Sequence, residues 1–294
     1  MPLNHRLSNW QVDRAQIQIY SSRQSLGLEA ARRAAQLIES AIKTRGRARI
    51  ILATGNSQIP LIEKLVEQSV NWAAVEAFHM DEYIGISADH TSSFRYWIRT
   101  RFEEKVRPAK MFYLEGDTSD LDTEIRRYTD LLMEAPVDLA FVGFGENGHI
   151  AFNDPDTADF HDPLILKEIT LDPRSRAQQA GEGHFKDIDS VPERAITITC
   201  PGLFRAGSWI CCVPELRKAT AVRRALEEPI SEACPASLAR RHPDAVVYLD
   251  TDSASLLSTS SSYSNRRNTL QACDEEIARR RQRSGPDTRG ESSQ

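Results

Sequence analysis

The stretch VDLAFVGFGENGHIAFNDP, residues 137–155, is the most informative part of this 294-residue chain. Its first half contains the apolar run LAFV, residues 139–142, which is typical of a strand buried on both faces of a parallel sheet. Its second half is a glycine-rich turn that carries His149 and Asp154. In an open α/β sheet, ligands bind beyond the carboxyl ends of the strands. The turn is therefore a candidate catalytic site.

Similar apolar runs alternate with helical patterns along the chain. The strand-like runs are ARIILATG (48–55), AVEAFHM (74–80), MFYL (111–114), RAITITC (194–200), SWICCV (208–213) and AVVYLD (245–250). The helical patterns cover residues 26–43, 60–68, 94–106, 121–135 and 215–228. This alternation predicts an α/β, Rossmann-like fold whose mostly parallel sheet has helices on both faces.

The domain organisation follows from a change of composition near the C-terminus. Residues 258–294 are rich in serine and then in arginine, a composition that buries too little apolar surface to offset its ordering entropy. We therefore expect one α/β domain over residues 1–257 and a disordered tail over residues 258–294.

Composition argues against two classes of function. The chain has a formal net charge of −5 at pH 7, whereas a nucleic-acid-binding surface needs a basic excess. No apolar run approaches the ~18 residues that span a bilayer, and the N-terminus lacks the apolar core of a signal peptide. We expect a cytoplasmic protein that binds neither nucleic acid nor membrane.

The cysteines give no sign of a metal or redox centre. Cys200, Cys211 and Cys212 fall within apolar runs, as small buried hydrophobes do. The chain has no CxxC pair and no HExxH motif, so the sequence predicts no metal site.

The turn ATGNSQIP, residues 53–60, joins a predicted strand to a predicted helix. Backbone N–H groups, hydroxyls and the positive end of a helix favour an anion at such a turn. The GxxxxGK[ST] and GxGxxG patterns are absent, so no nucleotide is indicated. A phosphate site and an ordinary serine-capped turn both fit these residues.

Three further positions carry side chains suited to acid–base or phosphate chemistry. Asp81 directly follows a predicted strand, where partial desolvation raises the pKa of a carboxyl and makes it a better base. His149 can move protons near neutral pH, with Asp154 close enough in sequence to orient it. Lys218 stands early in a helix and can reach a phosphate as a point charge. A turn acid, a structural histidine and a solvated lysine are the alternatives.

Five motifs, taken in order, resemble the glucosamine-6-phosphate deaminase family, which is grouped with 6-phosphogluconolactonases and ribose-5-phosphate isomerases. They are ATGNS (53–57), FHMDEYIG (78–85), GENGHIAFNDP (145–155), VPERAITIT (191–199) and PELRKA (214–219). Phosphogluconolactonases usually continue the loop histidine as GHTASLFP, whereas this chain reads GHIAFNDP. The resemblance covers about two thirds of the chain.

The resemblance implies a reaction, the conversion of glucosamine 6-phosphate and water to fructose 6-phosphate and ammonia. His149 would assist opening of the pyranose ring, and Asp81 would take the C2 proton and deliver it to C1. Asn147 and Asp154 complete the implied catalytic set. The implied substrate and phosphate contacts are Thr54, Gly55, Asn56, Ser57, Glu82, Gly148 and Lys218. No organic cofactor or metal is required, because the neighbouring functions already acidify C2.

Three departures from the family pattern bear on this expectation. Asn147 stands where the family commonly has an acid, and it cannot stabilise an imidazolium by charge. Asp154 replaces a glutamate and is shorter by one methylene. The phosphate-binding arginine of the family lies in a segment that does not match, where Arg174, Arg176 and His184 are candidates.

Two other functions stay open on the sequence. One is a 6-phosphogluconolactonase-type hydrolase that uses His149 as the base for water. The other is a sugar-phosphate-binding regulator with impaired catalysis. Asn147 and the arginine-rich tail would be consistent with that function. The expected partner is a small phosphosugar in each case, and the sequence leaves homo-oligomerisation open.

Overall fold

The computed structural model describes residues 6–181, 183 and 185–258. The strands of this part are β1 (Arg6–Val12), β2 (Ala15–Tyr20), β3 (Ala48–Leu52), β4 (Val75–His79), β5 (Asp81–Tyr83), β6 (Lys110–Met111), β7 (Leu139–Val142), β8 (Leu166–Thr170), β9 (Arg194–Ile198), β10 (Ser208–Val213) and β11 (Ala245–Asp250). The helices are α1 (Arg23–Arg45), α2 (Ile59–Leu65), α3 (Phe94–Ile98), α4 (Glu104–Val106), α5 (Leu121–Met133), α6 (Pro173–Gly181), α7 (Cys200–Phe204) and α8 (Ala219–Glu227).

Eight strands form the main sheet in the order β1-β2-β11-β10-β7-β3-β4-β6. All neighbours are parallel except β1 and β2, which form an antiparallel hairpin at one edge. The chain runs outward from β3 through β4 to β6, and then returns to the other side of β3 as β7. The order of strands therefore reverses between β3 and β7, the position where open α/β sheets hold their ligands. The predicted α/β class with a mostly parallel sheet is confirmed.

Helix α1 packs along the sheet and is fixed at both ends by its sequence. The hydroxyl of Ser22 accepts from Ser25 N at the N-terminus, and Gly46 takes the left-handed conformation at the C-terminus. Gly27 lets α2 approach closely, because a Cβ there would lie 2.5 Å from the carbonyl carbon of Pro60. The predicted helix at 26–43 is thus present and longer at both ends. This packing holds the turn between β3 and α2 against the core.

A second, three-stranded antiparallel sheet has the order β5-β9-β8. The run RAITITC, expected among the strands of the parallel sheet, forms β9 of this smaller sheet instead. Hydrophobicity identified the strand but not its partners, which lie far away in sequence. The short run MFYL is also corrected, because only Lys110–Met111 pairs as β6.

The predicted domain boundary at residue 258 falls at the edge of the described residues. The compact unit ends at Leu257. The predicted tail lies outside the described residues apart from Ser258, so its disorder stays a prediction. No helix within the described ranges is long and apolar enough to cross a membrane.

Candidate active site

A cleft with about 560 Å³ of empty space opens at the carboxyl ends of four neighbouring strands. The turns after β3, β4, β7 and β10 each contribute to its wall. Seven residues singled out from the sequence line it, namely Thr54, Gly55, Asn56, Ser57, Asp81, His149 and Lys218. The parallel topology brings these residues together although Thr54 and Lys218 are 164 positions apart in the sequence.

The turn after β3 is hydrogen-bonded to the end of β10, two strands away in the sheet. Gly55 has a φ of 95°, a left-handed conformation that glycine adopts without strain. Next to it, Gln58 is fully buried, and its amide donates to the carbonyl of Cys212 at 3.2 Å and to Ser57 Oγ at 3.1 Å. The hydroxyls and backbone of residues 54–57 are thereby held at the cleft wall.

Asp81 is the carboxylate that faces the cleft from β5. Its side chain is buried, and the pKa of Asp81 is raised well above its usual range by this burial and by the nearby charge of Glu82. A carboxylate with a raised pKa binds a proton more strongly. Asp81 is therefore suited to remove a proton from a ligand in the cleft.

Glu82 does not line the cleft, and its place among the substrate contacts stays a prediction. Its carboxylate is fully buried and accepts from Ser93 Oγ at 2.7 Å and from the backbone N–H of Arg95 at 3.0 Å. The Arg95 guanidinium lies 3.3 Å away. Burial raises the pKa of Glu82 in spite of these hydrogen bonds. Side chains alternate along a strand, so Glu82 points away from the face that presents Asp81.

His149 lines the cleft and forms a hydrogen-bonded pair with Asp154, which lies behind it. Nδ1 of His149 lies 3.1 Å from Oδ1 of Asp154. Burial alone would raise the pKa of Asp154, but hydrogen bonds from His149, Ser175 and Asn147 outweigh it and the pKa is lowered. Asp154 is therefore ionised at neutral pH and can hold a proton on Nδ1 of His149.

The glycines of the 143–149 loop make room for this pair. A Cβ on Gly145 would lie 2.2 Å from the ring of His149, so only glycine leaves space for the imidazole. Gly148 has a φ of 93° and packs against Cys234 rather than lining the cleft. Gly148 therefore has a conformational role in the loop, and its role as a substrate contact stays a prediction.

Asn147 lies outside the cleft wall and braces the pair from behind. Its amide nitrogen donates to Asp154 Oδ1 at 2.8 Å, and its amide oxygen accepts from the backbone N–H of His149 at 3.0 Å. The asparagine therefore orients both partners without adding a charge.

Helix α6 supplies cleft residues that the sequence analysis did not single out. Gln178 and Gln179 line the cleft, while Ser175 is buried and donates to Asp154 Oδ1 at 2.5 Å. The helix lies in the segment that matched no family motif. No sequence signal beyond a short run of helix-forming residues marked these three side chains.

Lys218 is buried where it lines the cleft at the start of α8. Of the described residues around the cleft, it is the only lysine or arginine. Arg174 lies in a neighbouring groove with Glu146 and Arg217, so it does not line the cleft. Arg176 donates to the carbonyls of Ile188 and Val191, both at 2.9 Å. His184 lies outside the described residues.

In the described ranges, no group of three or more histidine, cysteine, aspartate or glutamate side chains could hold a metal ion.

His79 is fully buried, and its ring accepts a hydrogen bond from Leu114 N at 2.8 Å. Its pKa is lowered to about 3, chiefly by burial. His79 is therefore uncharged at neutral pH and has a structural role in the core.

Comparison with known proteins places the chain in a family. A family model described as glucosamine-6-phosphate isomerases/6-phosphogluconolactonase matches residues 21–248. A glucosamine-6-phosphate deaminase of Bacillus thuringiensis (strain Al Hakam) is 33% identical over 224 residues, which cover 76% of this chain and 83% of the relative. A deaminase of Bacillus cereus (strain AH820) matches equally.

Solved structures agree with this placement. A monomeric glucosamine-6-phosphate deaminase of the NagB superfamily superposes with a TM-score of 0.75 at 30% identity, covering 82% of this chain and 99% of the other. A 6-phosphogluconolactonase from Trypanosoma brucei has a TM-score of 0.68 at 18% identity, covering 85% and 100%, which shows a shared fold.

The protein thus has the fold of a glucosamine-6-phosphate deaminase structure and a cleft at the carboxyl ends of its strands. The chain belongs to the family of glucosamine-6-phosphate isomerases and 6-phosphogluconolactonases.

Proposed function

We propose that this protein converts glucosamine 6-phosphate and water to fructose 6-phosphate and ammonia. The observation that carries the proposal is the presence of Asp81 and His149 in one cleft, with Asp154 hydrogen-bonded behind the histidine. The relatives named glucosamine-6-phosphate deaminase, at 33% and 30% identity, support the same reaction.

The phosphate of the substrate would bind between the turn after β3 and the start of α8. Thr54 and Ser57 offer hydroxyls there, residues 54–57 offer backbone N–H groups, and Lys218 offers a positive charge. A charge-assisted hydrogen bond contributes about 1.5–3 kcal/mol. Gln178 and Gln179 add neutral amides at the same cleft.

Ring opening would use His149. Because Asp154 holds a proton on Nδ1, Nε2 is the nitrogen that exchanges a proton with the sugar. Nε2 takes the proton of the C1 hydroxyl as the aldehyde forms and the C1–O5 bond breaks, and it then passes that proton to O5, which leaves His149 neutral again. The imidazolium that forms in a proton cycle of this kind is stabilised by the carboxylate of Asp154.

Isomerisation and deamination would use Asp81. Its carboxylate takes the proton from C2 of the open-chain aldehyde, the electrons of that bond form the C1–C2 double bond of an enol, and O1 takes a proton from the ammonium group at C2. The proton held by Asp81 returns at C1, which leaves a protonated imine at C2. Water adds to the imine, ammonia leaves, and C2 becomes the ketone of fructose 6-phosphate. The raised pKa of Asp81 favours this proton transfer.

Substrate assays on the purified protein test the proposal. Ammonia release from glucosamine 6-phosphate and hydrolysis of 6-phosphogluconolactone are measured with the wild type, His149→Asn and the exposed-site control His161→Asn. The proposal predicts ammonia from the wild type and the control, at least about 10²-fold less from His149→Asn, and no lactone hydrolysis.

Two results would contradict the proposal. Rapid lactone hydrolysis without ammonia release would assign the lactonase function. Binding of glucosamine 6-phosphate without any turnover would assign a binding protein.

A further inference from the structure

Ser175 connects helix α6 to the histidine–carboxylate pair. It is the one buried residue of α6, with 2% of its surface exposed. Its hydroxyl donates to Asp154 Oδ1 at 2.5 Å and lies 3.4 Å from Nδ1 of His149. Gln178 and Gln179 on the same helix line the cleft. Nothing in the motifs of the sequence assigns a role to this serine.

Three polar side chains contact a single carboxylate oxygen of Asp154. Oδ1 accepts from Ser175 Oγ at 2.5 Å and from Asn147 Nδ2 at 2.8 Å, and lies 3.1 Å from His149 Nδ1. Hydrogen bonds to an ionised acceptor are about twice as strong as neutral ones. Three such contacts fix the rotation of the carboxylate and keep this oxygen directed at the imidazole.

Contacts other than the Ser175 hydroxyl also hold α6 in place. Asp172 caps the start of the helix by accepting from Arg174 N at 2.7 Å. Arg176 fastens the same helix to the chain beyond it through the carbonyls of Ile188 and Val191. We therefore attribute to the contact between Ser175 and Asp154 a role other than anchoring α6.

We propose that Ser175 is a positioning residue for the proton chemistry of His149, acting through the carboxylate of Asp154 and linking that chemistry to the cleft-lining side of α6. The proposal rests on the proposed function for its kinetic part. In this chain, an uncharged asparagine braces the pair at position 147, and the Ser175 hydroxyl supplies the further donor that holds Asp154 ionised and oriented.

The kinetic test compares Ser175→Ala with Ser175→Thr, which retains the hydroxyl. Ser190→Ala is the matched control, because Ser190 Oγ donates to Asp187 Oδ1 at 2.6 Å in a serine–carboxylate contact away from the cleft. We expect Ser175→Ala to lower kcat about tenfold and to change KM less than twofold. The acidic limb of its pH profile should move to higher pH, since the carboxylate loses a donor.

A second measurement is independent of turnover. Long-range ¹H–¹⁵N spectra of ¹⁵N-histidine-labelled protein report which ring nitrogen of His149 carries the proton, with His149→Asn assigning the signal. We expect Nδ1 protonation in the wild type, in Ser175→Thr and in Ser190→Ala, and a redistribution toward Nε2 in Ser175→Ala.

Unchanged kinetics and an unchanged His149 spectrum in folded Ser175→Ala would overturn the inference. Equal losses of kcat in Ser175→Ala and Ser190→Ala would overturn it as well. If the wild type releases no ammonia, the proposed function fails, and the spectrum alone then decides the role of Ser175.

Discussion

His149 Nδ1 lies 3.1 Å from Asp154 Oδ1, and both side chains are buried at the end of β7. The geometry leaves Asp154 as the negative charge beside the imidazole, because its other close polar neighbours are the neutral Asn147 and Ser175. A histidine held in this way keeps one tautomer and one orientation. Activity should therefore depend strongly on the charge of Asp154.

Asp154→Asn tests this dependence. The amide retains an acceptor for Ser175 but cannot stabilise an imidazolium, so we expect kcat to fall about 10²-fold or more. Steady-state kinetics with glucosamine 6-phosphate measure the loss. Asp156→Asn, at an exposed position two residues away, is the control and should match the wild type. Equal activity of Asp154→Asn and the control would contradict the assignment.

Lys218→Met tests the phosphate subsite. Removing the charge should raise KM for the phosphosugar about 10- to 100-fold, which corresponds to about 1.5–3 kcal/mol of a charge-assisted hydrogen bond. Inhibition by inorganic phosphate should weaken in parallel. Lys64→Met, at the surface on α2, is the control. A variant with unchanged KM would show that Lys218 does not meet the phosphate.

Asp81→Asn should make the protein more stable at alkaline pH. The pKa of Asp81 is raised in the folded state, so its contribution to stability is fully present below the unfolded pKa of about 3.9 and is lost as pH rises through the folded value. The neutral amide avoids that loss. Thermal unfolding should show a higher Tm for the variant at pH 8 and converging values near pH 4. A lower Tm for the variant at pH 8 would contradict the burial argument.

Glu82→Gln should destabilise the fold. The change breaks a buried ion pair with Arg95, which costs about 3–5 kcal/mol when one partner is removed. Urea unfolding measures the difference. Glu29→Gln removes the carboxylate of a surface pair with Arg32 and should cost less than about 1 kcal/mol. Equal small effects would show that Glu82 is not a structural anchor.

Sequence patterns predicted the site to the extent that strand ends determine it. Apolar runs located β3, β4, β7 and β10, and a parallel sheet places the carboxyl ends of all four at one edge. Asp81, His149 and Lys218 follow from that rule. The position of Glu82 does not follow from that rule, because side chains alternate along β5 and the side chain of Glu82 points into the core.

Tertiary contacts decide what the sequence left out. Ser175 reaches Asp154 across 21 positions of sequence only because α6 docks on the loop after β7. The pairing of β9 with β5 and β8 likewise depends on distant partners. The hairpin of β1 and β2, whose residues are partly exposed, gave no buried apolar run to mark it.

In the proposed reaction, Asp81 moves the C2 proton of glucosamine 6-phosphate to C1 before ammonia leaves. NMR of the reaction in D₂O measures this directly, with Asp81→Asn beside the wild type. We predict that the wild type releases ammonia and forms fructose 6-phosphate that carries the C2 hydrogen of the substrate at C1, with deuterium there only to the extent that the proton on Asp81 exchanges with solvent, and that Asp81→Asn is slower by about 10²-fold or more. Ammonia release at the same rate from both proteins would contradict the account.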